Sequence, residues 1–278
     1  MKKLIAWTAA IRPHTLLIAL APVMIGSAMA YGDGFFHFPS ALSALALAVA
    51  LQGAINLYRS AGSRISGSSV LTSRALRHGS ILLFLLATSA GSGLIVRVGY
   101  PALLVLGLSV LVGIFYNTGR WSLARTGLGD LAACVLFGPV AVTGTYYAQS
   151  FEYNAAIVLA GTMTGFMGTA VLAVNNLRDM TTDAASGQRT LAVQLGKTFP
   201  QIEYLFCVLA AAAGPVAIYY LTDQHPATLL TSLTAFAAIP LIHGVFTRED
   251  TTSLNWVLGL TILLLFVQAV GYSCTWLL

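Results

Sequence analysis

Charged side chains are scarce in this sequence. Only 8% of the 278 residues are Asp, Glu, Lys or Arg, and 57% are hydrophobic, whereas a soluble domain carries roughly 25% charged residues. This composition excludes a water-soluble globular protein. Apolar runs long enough for a membrane span of about 20 residues recur along the whole chain. The sequence therefore predicts an all-α polytopic membrane protein, because a helix satisfies its own backbone polar groups in lipid.

Cysteine is also rare. The three cysteines, Cys134, Cys207 and Cys274, each lie inside an apolar run, and the sequence has no C-x-x-C pair. A disulfide framework and a cysteine-ligated zinc site are therefore not indicated.

The apolar runs predict about nine spans, with boundaries uncertain by about four residues. They cover approximately residues 15–31, 40–58, 80–97, 101–117, 128–149, 154–176, 203–222, 227–246 and 254–276. No separate soluble domain is visible between them. We expect residues 1–278 to form a single transmembrane domain.

The basic residues are distributed unevenly between the two sides of these spans. Of the 14 Lys and Arg residues, all except Arg97 lie in the N-terminal segment or in the loops after spans 2, 4, 6 and 8. Cytoplasmic loops carry such an excess. We therefore expect an integral protein of a prokaryotic-type inner membrane, with a cytoplasmic N-terminus and the C-terminus on the opposite side. Topology and membrane lipid explain the net charge of +5 better than a nucleic-acid partner does.

The densest polar segment follows span 6. Asn175, Asp179 and Asp183 are spaced i, i+4 and i+8, so a helix places them on one face. Such an oxygen-rich site suits Mg²⁺, which binds through one or two carboxylates together with substrate phosphates. The candidate contacts for further phosphate oxygens are Arg178, Arg189 and Lys197. The alternative is a solvated polar loop.

The loop after span 2 begins in a similar way but has no carboxylate. Asn56 and Arg59 parallel Asn175 and Arg178, yet no Asp or Glu occurs between Asp33 and Asp130. Arginines occupy this stretch instead: Arg59, Arg64, Arg74, Arg77, Arg97, Arg120 and Arg125. The loop cannot hold a cation with carboxylates. It either binds a polyanion through guanidinium groups or only sets the topology.

A third polar cluster follows span 4. Tyr116 and Arg120 are candidate substrate contacts, although a tyrosine at a membrane boundary more often belongs to the interfacial belt. Asp130, near the start of span 5, is expected to cap a helix.

Four stretches carry a resemblance to a known family. They are Arg12-Pro13-His14-Thr15-Leu16, Gly127-Leu128-Gly129-Asp130, Phe137 to Val142 with Gly144 to Tyr147, and Asn175 to Asp183 with Arg189 to Val193. The sequence resembles the UbiA-type intramembrane prenyltransferases over nearly its whole length, and it is most similar to their naphthoate branch. The last stretch is the most specific of the four.

This resemblance implies a fold and an activity. The fold would be a nine-helix bundle around a central cavity. The activity would be transfer of a polyprenyl chain from a prenyl diphosphate, through an allylic carbocation, to an aromatic acceptor, best matched by 1,4-dihydroxy-2-naphthoate in menaquinone biosynthesis. Mg²⁺ would hold the diphosphate at two acidic motifs. Asn175, Asp179 and Asp183 carry over as the diphosphate and Mg²⁺ residues, and Arg189 and Lys197 as phosphate contacts.

The first motif departs from the pattern of this family. There an Asn is followed by aspartates four and seven residues later, whereas Asn56 is followed at these positions by Ser60 and Ser63. Three readings stay open: a working transferase with an arginine-rich first site, a pseudoenzyme that binds prenyl diphosphate or quinone without turnover, and, more remotely, a transporter.

Overall fold

A computed structural model describes residues 2–62, 71–115, 123, 128–185 and 187–278. Within these residues the regular elements are helices, and no strand occurs. In chain order they are α1 (Lys2–Ile11), α2 (Pro13–Gly32), α3 (Phe38–Gly62), α4 (Ser73–Val98), α5 (Tyr100–Phe115), α6 (Gly129–Ser150), α7 (Ala155–Ala185), α8 (Leu191–Leu195), α9 (Thr198–Thr222), α10 (Pro226–Thr247) and α11 (Thr251–Trp276).

The prediction of an all-α membrane protein is confirmed. Eight of the described helices are long and apolar enough to cross a membrane, and α5 adds a shorter apolar helix. Each predicted span has a helix at its place in the chain. The short helices α1 and α8 are additional to the prediction, because neither has the apolar length of a span.

The helices are arranged around α7. In its most apolar window 72% of the residues are buried, against 17% in α4. Helices α2, α6, α9 and α11 pack against α7, whereas α4 and α5 lie at the periphery. Their outward faces expose large apolar side chains such as Leu82, Leu85, Leu104 and Leu111. In lipid this exposure carries no hydrophobic penalty, and it identifies an integral membrane protein.

Helix α6 is kinked in the middle, which the sequence did not predict. A π-helical turn spans Leu136–Val140, where Gly138 has φ −99° and ψ −110° and Pro139 lacks a backbone N–H. The kink brings α6 close to α7. A Cβ atom on Gly138 would lie 2.6 Å from the Gly161 carbonyl oxygen, so this contact requires glycine. Such turns are a common cause of sharp helix bends.

Arg97, the last but one residue of α4, contacts the C-terminal end of α6. Its Nε donates to the Ala148 carbonyl oxygen at 3.0 Å and its Nη2 to the Gln149 carbonyl oxygen at 3.3 Å. The guanidinium carbon also lies 4.8 Å from the centre of the Phe151 ring. Arg97 therefore satisfies the last carbonyl groups of α6, where a cation interacts favourably with the helix dipole.

We expect Gly165→Ala to destabilise the bundle. A Cβ atom at this position would overlap the carbonyl oxygen of Cys134 and lie 3.1 Å from the Cα atom of Gly138. Because these are backbone atoms of a packed helix, relief requires α6 and α7 to separate, at a loss of about 1–3 kcal/mol in the free energy of unfolding. Thermal unfolding in detergent, followed by circular dichroism, measures this loss.

The matched control is Gly107→Ala on α5, where a Cβ atom would meet nothing within 4 Å. Its free energy of unfolding should stay within about 0.5 kcal/mol of the parent protein. Equal melting temperatures for the two variants would contradict close packing at the kink.

Candidate functional site

A cavity of about 710 Å³ opens between α2, α3, α4, α5, α6, α7 and α11. Most of its wall is apolar, with side chains such as Leu51, Val105, Phe137, Leu172 and Ile262. The π-helical turn of α6 faces this space, so the kink shapes the wall. A volume of this size lies within the usual range for small-molecule sites.

Polar side chains are concentrated at one end of the cavity. We call this group the polar mouth and define it by its members Arg12, Asn56, Arg59, Asn175, Arg178 and Asn255. They come from four segments that are distant in sequence: the junction of α1 with α2, the end of α3, the end of α7 and the start of α11. The fold thus joins the two asparagine-containing stretches that the sequence singled out.

Arg178 is the most highly connected side chain of the polar mouth. Its Nε donates to Asp179 Oδ1 at 2.7 Å and its Nη2 to Asp179 Oδ2 at 2.6 Å, a two-point ion pair. Nη2 also donates to Asn175 Oδ1 at 2.7 Å, and Nη1 donates to Asn255 Oδ1 at 2.9 Å. The guanidinium therefore links α7 to α11 and satisfies two of the three oxygen-bearing residues of the acidic motif.

The donor atoms of this motif fit Mg²⁺ that arrives with a phosphate ligand. Asn175, Asp179 and Asp183 lie on one face near the end of α7 and offer two carboxylates and one carboxamide. Within the described ranges, no group of three or more His, Cys, Asp or Glu residues is placed to hold a metal ion alone. Mg²⁺ commonly completes such a sparse protein set with waters and substrate phosphates.

Arg12 adds a third guanidinium to this end of the cavity. It joins α1 to α2 with a left-handed backbone, φ 54° and ψ 71°. Burial lowers the pKa of Arg12, the positive charges of Arg59 and Arg178 lower it further, and Asp179 partly opposes them. Three like charges therefore lie within electrostatic reach of one another. Because a strained backbone persists only where its surroundings hold it, Arg12 is a candidate functional residue.

Asn56 fixes the junction that carries Arg12. Its Nδ2 donates to the Ile11 carbonyl oxygen at 2.8 Å and to Thr15 Oγ1 at 2.7 Å. The side chain is 4% exposed, so these hydrogen bonds are shielded from water. Asn56 therefore lines the cavity and also links α3 to the start of α2 by hydrogen bonds.

Ser60, which stands where the family pattern has its first aspartate, faces α1. It is buried, its Oγ donates to the Ala10 carbonyl oxygen at 3.3 Å, and it does not line the cavity.

Asp130 accepts a hydrogen bond from Asn176 Nδ2 at 2.9 Å on Oδ1. The expected helix cap is wrong: Asp130 lies in the first turn of α6, and Leu128 occupies the capping position.

The remaining predicted contacts lie elsewhere. Arg189 is exposed and is not part of the cavity wall. Lys197 donates to Glu249 Oε1 at 2.7 Å on the surface, and this hydrogen bond lowers the pKa of Glu249. Arg64, Tyr116 and Arg120 fall outside the described residues, as does Ser63.

Two residues of the polar mouth, Arg12 and Asn255, were not predicted from the sequence to belong to the site. Arg12 stands in the opening stretch that carried the family resemblance, so that stretch was an available signal. Asn255 is a single polar residue near the start of the last span. Nothing local to it indicates a partner on α7, and only the packing of α11 against α7 reveals the contact.

Together these features define an integral membrane protein with a site for an amphipathic ligand. The polar mouth carries guanidinium and carboxamide groups suited to a phosphorylated head, and the carboxylate of Asp179 is paired with Arg178 of the mouth. The apolar cavity suits a hydrocarbon tail.

Comparisons with known proteins agree with this class. The UbiA prenyltransferase family matches residues 19–265. The chain is 32% identical over 240 residues to 1,4-dihydroxy-2-naphthoate octaprenyltransferase of Escherichia coli, covering 79% of this chain and 78% of that protein. It is 27% identical to 2-carboxy-1,4-naphthoquinone phytyltransferase of Synechocystis, covering 88% and 83%. The chain belongs to the UbiA prenyltransferase family.

Solved structures show the same fold. A UbiA homolog from Archaeoglobus fulgidus superposes with a TM-score of 0.70 at 13% identity, covering 98% of this chain and 99% of that chain. A structure of a UbiA homolog from the same organism bound to DMAPP and Mg²⁺ gives a TM-score of 0.63 at 12% identity, covering 95% and 99%.

We expect Arg12→Gly to weaken anion binding without destabilising the protein. Glycine adopts φ 54° without strain, a relief of about 1 kcal/mol that offsets lost contacts. Loss of one charge-assisted hydrogen bond, about 1.5–3 kcal/mol, should lower the affinity for pyrophosphate roughly 10- to 150-fold. Calorimetry on the purified protein measures the affinity, and thermal unfolding measures the stability.

The control is Asp223→Gly, because Asp223 also has a left-handed backbone, with φ 51°, but ends α9 away from the cavity. It should relieve similar strain and leave pyrophosphate affinity unchanged. If Arg12→Gly bound pyrophosphate as the parent does, Arg12 would have no part in the site.

Proposed function

We propose that this protein transfers a polyprenyl chain from a prenyl diphosphate to 1,4-dihydroxy-2-naphthoate in menaquinone biosynthesis. The observation that carries the proposal is the division of one cavity into a charged mouth and an apolar interior. A prenyl diphosphate has the same division between its head and its tail. The names of the two relatives described above support a naphthoate-type acceptor, and membership of the family supports prenyl transfer.

In this proposal the acidic motif at the end of α7 holds the metal. Asp179 and Asp183 would hold Mg²⁺, and Asn175 would contribute its carboxamide oxygen together with oxygens of the diphosphate. When bound, Mg²⁺ would neutralise the negative charge that develops on the leaving diphosphate. Both carboxylates belong to the same helix, so α7 alone positions the cation.

The arginines of the polar mouth replace the charge that the first motif lacks. Arg12, Arg59 and Arg178 carry three positive charges, whereas Asp179 and Asp183 carry two negative ones. An incoming diphosphate therefore meets an excess of positive charge even before a metal ion is counted. Guanidinium groups bind phosphate oxygens in a two-point geometry and keep their charge at any physiological pH. Preorganised charge of this kind is often the largest catalytic contribution.

The apolar wall protects the reaction. Ionisation of the allylic C–O bond releases diphosphate and leaves a carbocation, which water would quench. Side chains such as Phe137 and Leu172 line the cavity and exclude water from it. The ring carbon that bears the carboxylate then attacks the cation and forms the new C–C bond. The carboxylate leaves as CO₂, and its electron pair restores the aromatic ring.

The uneven basic charge supports a membrane orientation. We propose that the polar mouth faces the cytoplasm across a prokaryotic-type inner membrane, with the C-terminus on the opposite side, and that residues 1–278 act as a single domain. Three arginines lie at the polar mouth: Arg12, Arg59 and Arg178. Arg97 lies at the C-terminal end of α4. A cytoplasmic mouth would receive soluble substrates directly, while the prenyl tail enters from lipid.

We expect Asp179→Asn and Asp183→Asn each to reduce Mg²⁺-dependent prenyl transfer by about 10²-fold or more in kcat/KM, because each removes charge from the site that stabilises the leaving group. The assay uses purified protein in detergent with a prenyl diphosphate, 1,4-dihydroxy-2-naphthoate and Mg²⁺, and detects the prenylated product by mass spectrometry.

Asp250→Asn is the control. Asp250 caps α11 through the Ser253 backbone N–H at 2.7 Å, and asparagine caps helices equally well. This variant loses a carboxylate that belongs to neither the acidic motif nor the polar mouth, and it should keep full activity. Unchanged turnover in the Asp179 and Asp183 variants would place the metal elsewhere. Absence of product from folded parent protein, across prenyl lengths and divalent metals, would refute the transferase proposal.

A further inference from the structure

Arg178 occupies the position that a cation would require. Both oxygens of Asp179 and the side-chain oxygen of Asn175 accept hydrogen bonds from its guanidinium, at 2.6–2.7 Å. The proposed metal ligands are thus satisfied by a positive charge from their own helix. The arrangement is partly shielded from water, since the side chains of Arg178 and Asp179 are 15% and 32% exposed.

A divalent cation that binds alone has to displace this guanidinium. Arg178 would then lie beside the cation with its two-point partner lost, and Arg12 and Arg59 add further positive charge to the same end of the cavity. A diphosphate removes both obstacles, because its oxygens can accept hydrogen bonds from the released guanidinium and bind the metal as well.

Asn255 is placed to keep Arg178 within reach of the ligand during this exchange. Its Oδ1 accepts from Nη1 of Arg178 at 2.9 Å, whereas the other two guanidinium nitrogens contact Asp179. Arg178 and Asn255 both line the cavity. The guanidinium can therefore release Asp179 and turn toward a phosphate while its contact with α11 remains.

We propose that Arg178 is the counterion of Asp179 before ligands bind, that Asn255 positions it, and that a divalent cation and a diphosphate bind cooperatively by moving Arg178 from Asp179 to the phosphate. This inference rests on the proposed function, because it takes Asp179 as a metal ligand. It goes beyond that function by defining a thermodynamic coupling between the two ligands, which must be reciprocal.

The test measures binding rather than turnover. The purified full-length protein in detergent is titrated with Mn²⁺, alone and with saturating pyrophosphate, and free Mn²⁺ is followed by electron paramagnetic resonance. In the parent protein, pyrophosphate should increase the affinity for Mn²⁺ by about 5- to 150-fold, the usual range for coupled sites.

Arg178→Gln should release Asp179. We expect it to bind Mn²⁺ alone more tightly than the parent does, with the enhancement by pyrophosphate falling below about twofold. Arg178→Lys keeps the charge but not the two-point geometry, so pyrophosphate should still increase its affinity for Mn²⁺, but less than in the parent. If Arg178→Gln does not fold, this reduced increase tests the inference in its place. Arg248→Gln removes an equal charge from an exposed residue outside the cavity wall and should match the parent.

Asn255 has its own test. Asn255→Ala should leave the affinity for Mn²⁺ alone unchanged, because Asp179 still holds Arg178, and should reduce the enhancement by pyrophosphate. Asn255→Asp preserves the accepting oxygen and should restore the enhancement. A purely structural role would affect both affinities together and would not be rescued in this way.

The inference is overturned if the parent and both Arg178 variants bind Mn²⁺ with equal affinity and equal enhancement, while Asp179→Asn abolishes binding. The proposed function would survive that result. If the folded parent bound neither Mn²⁺ nor pyrophosphate, the inference and the proposed function would fall together.

Discussion

The structure depends on keeping charge away from hydrocarbon. A bundle whose helices expose leucines to lipid cannot place unpaired ions on that face without a large penalty. Its charges therefore lie at the helix ends or line a cavity. In this protein the arginines and asparagines of four distant segments meet at one end of a cavity whose wall is otherwise mostly apolar. The amphipathic character of the site follows from this constraint, because the rest of the cavity passes through the membrane interior.

The sequence predicts the spans well because their signal is local. Each span is a long apolar run, and each run became a helix at the expected place. The same holds for the spacing of Asn175, Asp179 and Asp183, which a continuous helix fixes by its period. The kink of α6 was not predicted, since Gly138 and Pro139 lie inside an apolar run, and the close approach of α7 at Gly161 and Gly165 is a property of two helices.

The candidate site was predictable only in part, for the same reason. The acidic motif can be recognised in one segment, but its partners cannot. The contact of Arg178 with Asn255 joins residues 77 positions apart, and Arg12 enters the site through an unusual backbone conformation. Ser60 shows the converse: it stands where the family pattern has its first aspartate, yet its hydroxyl donates to the Ala10 carbonyl oxygen of α1. Pairings between helices are set by packing, which local patterns do not encode.

The contacts of Arg97 also bear on how the chain acquires its orientation during insertion. Membrane insertion responds to basic residues that remain available to the lipid headgroups and the cytoplasmic potential. The charge of Arg97 is instead directed into the folded protein, where the final carbonyl groups of α6 and the ring of Phe151 surround it. Once α4 and α6 have assembled, this residue contributes to tertiary structure and no longer acts as a topological signal. The apparent exception in the charge distribution is thus a helix cap.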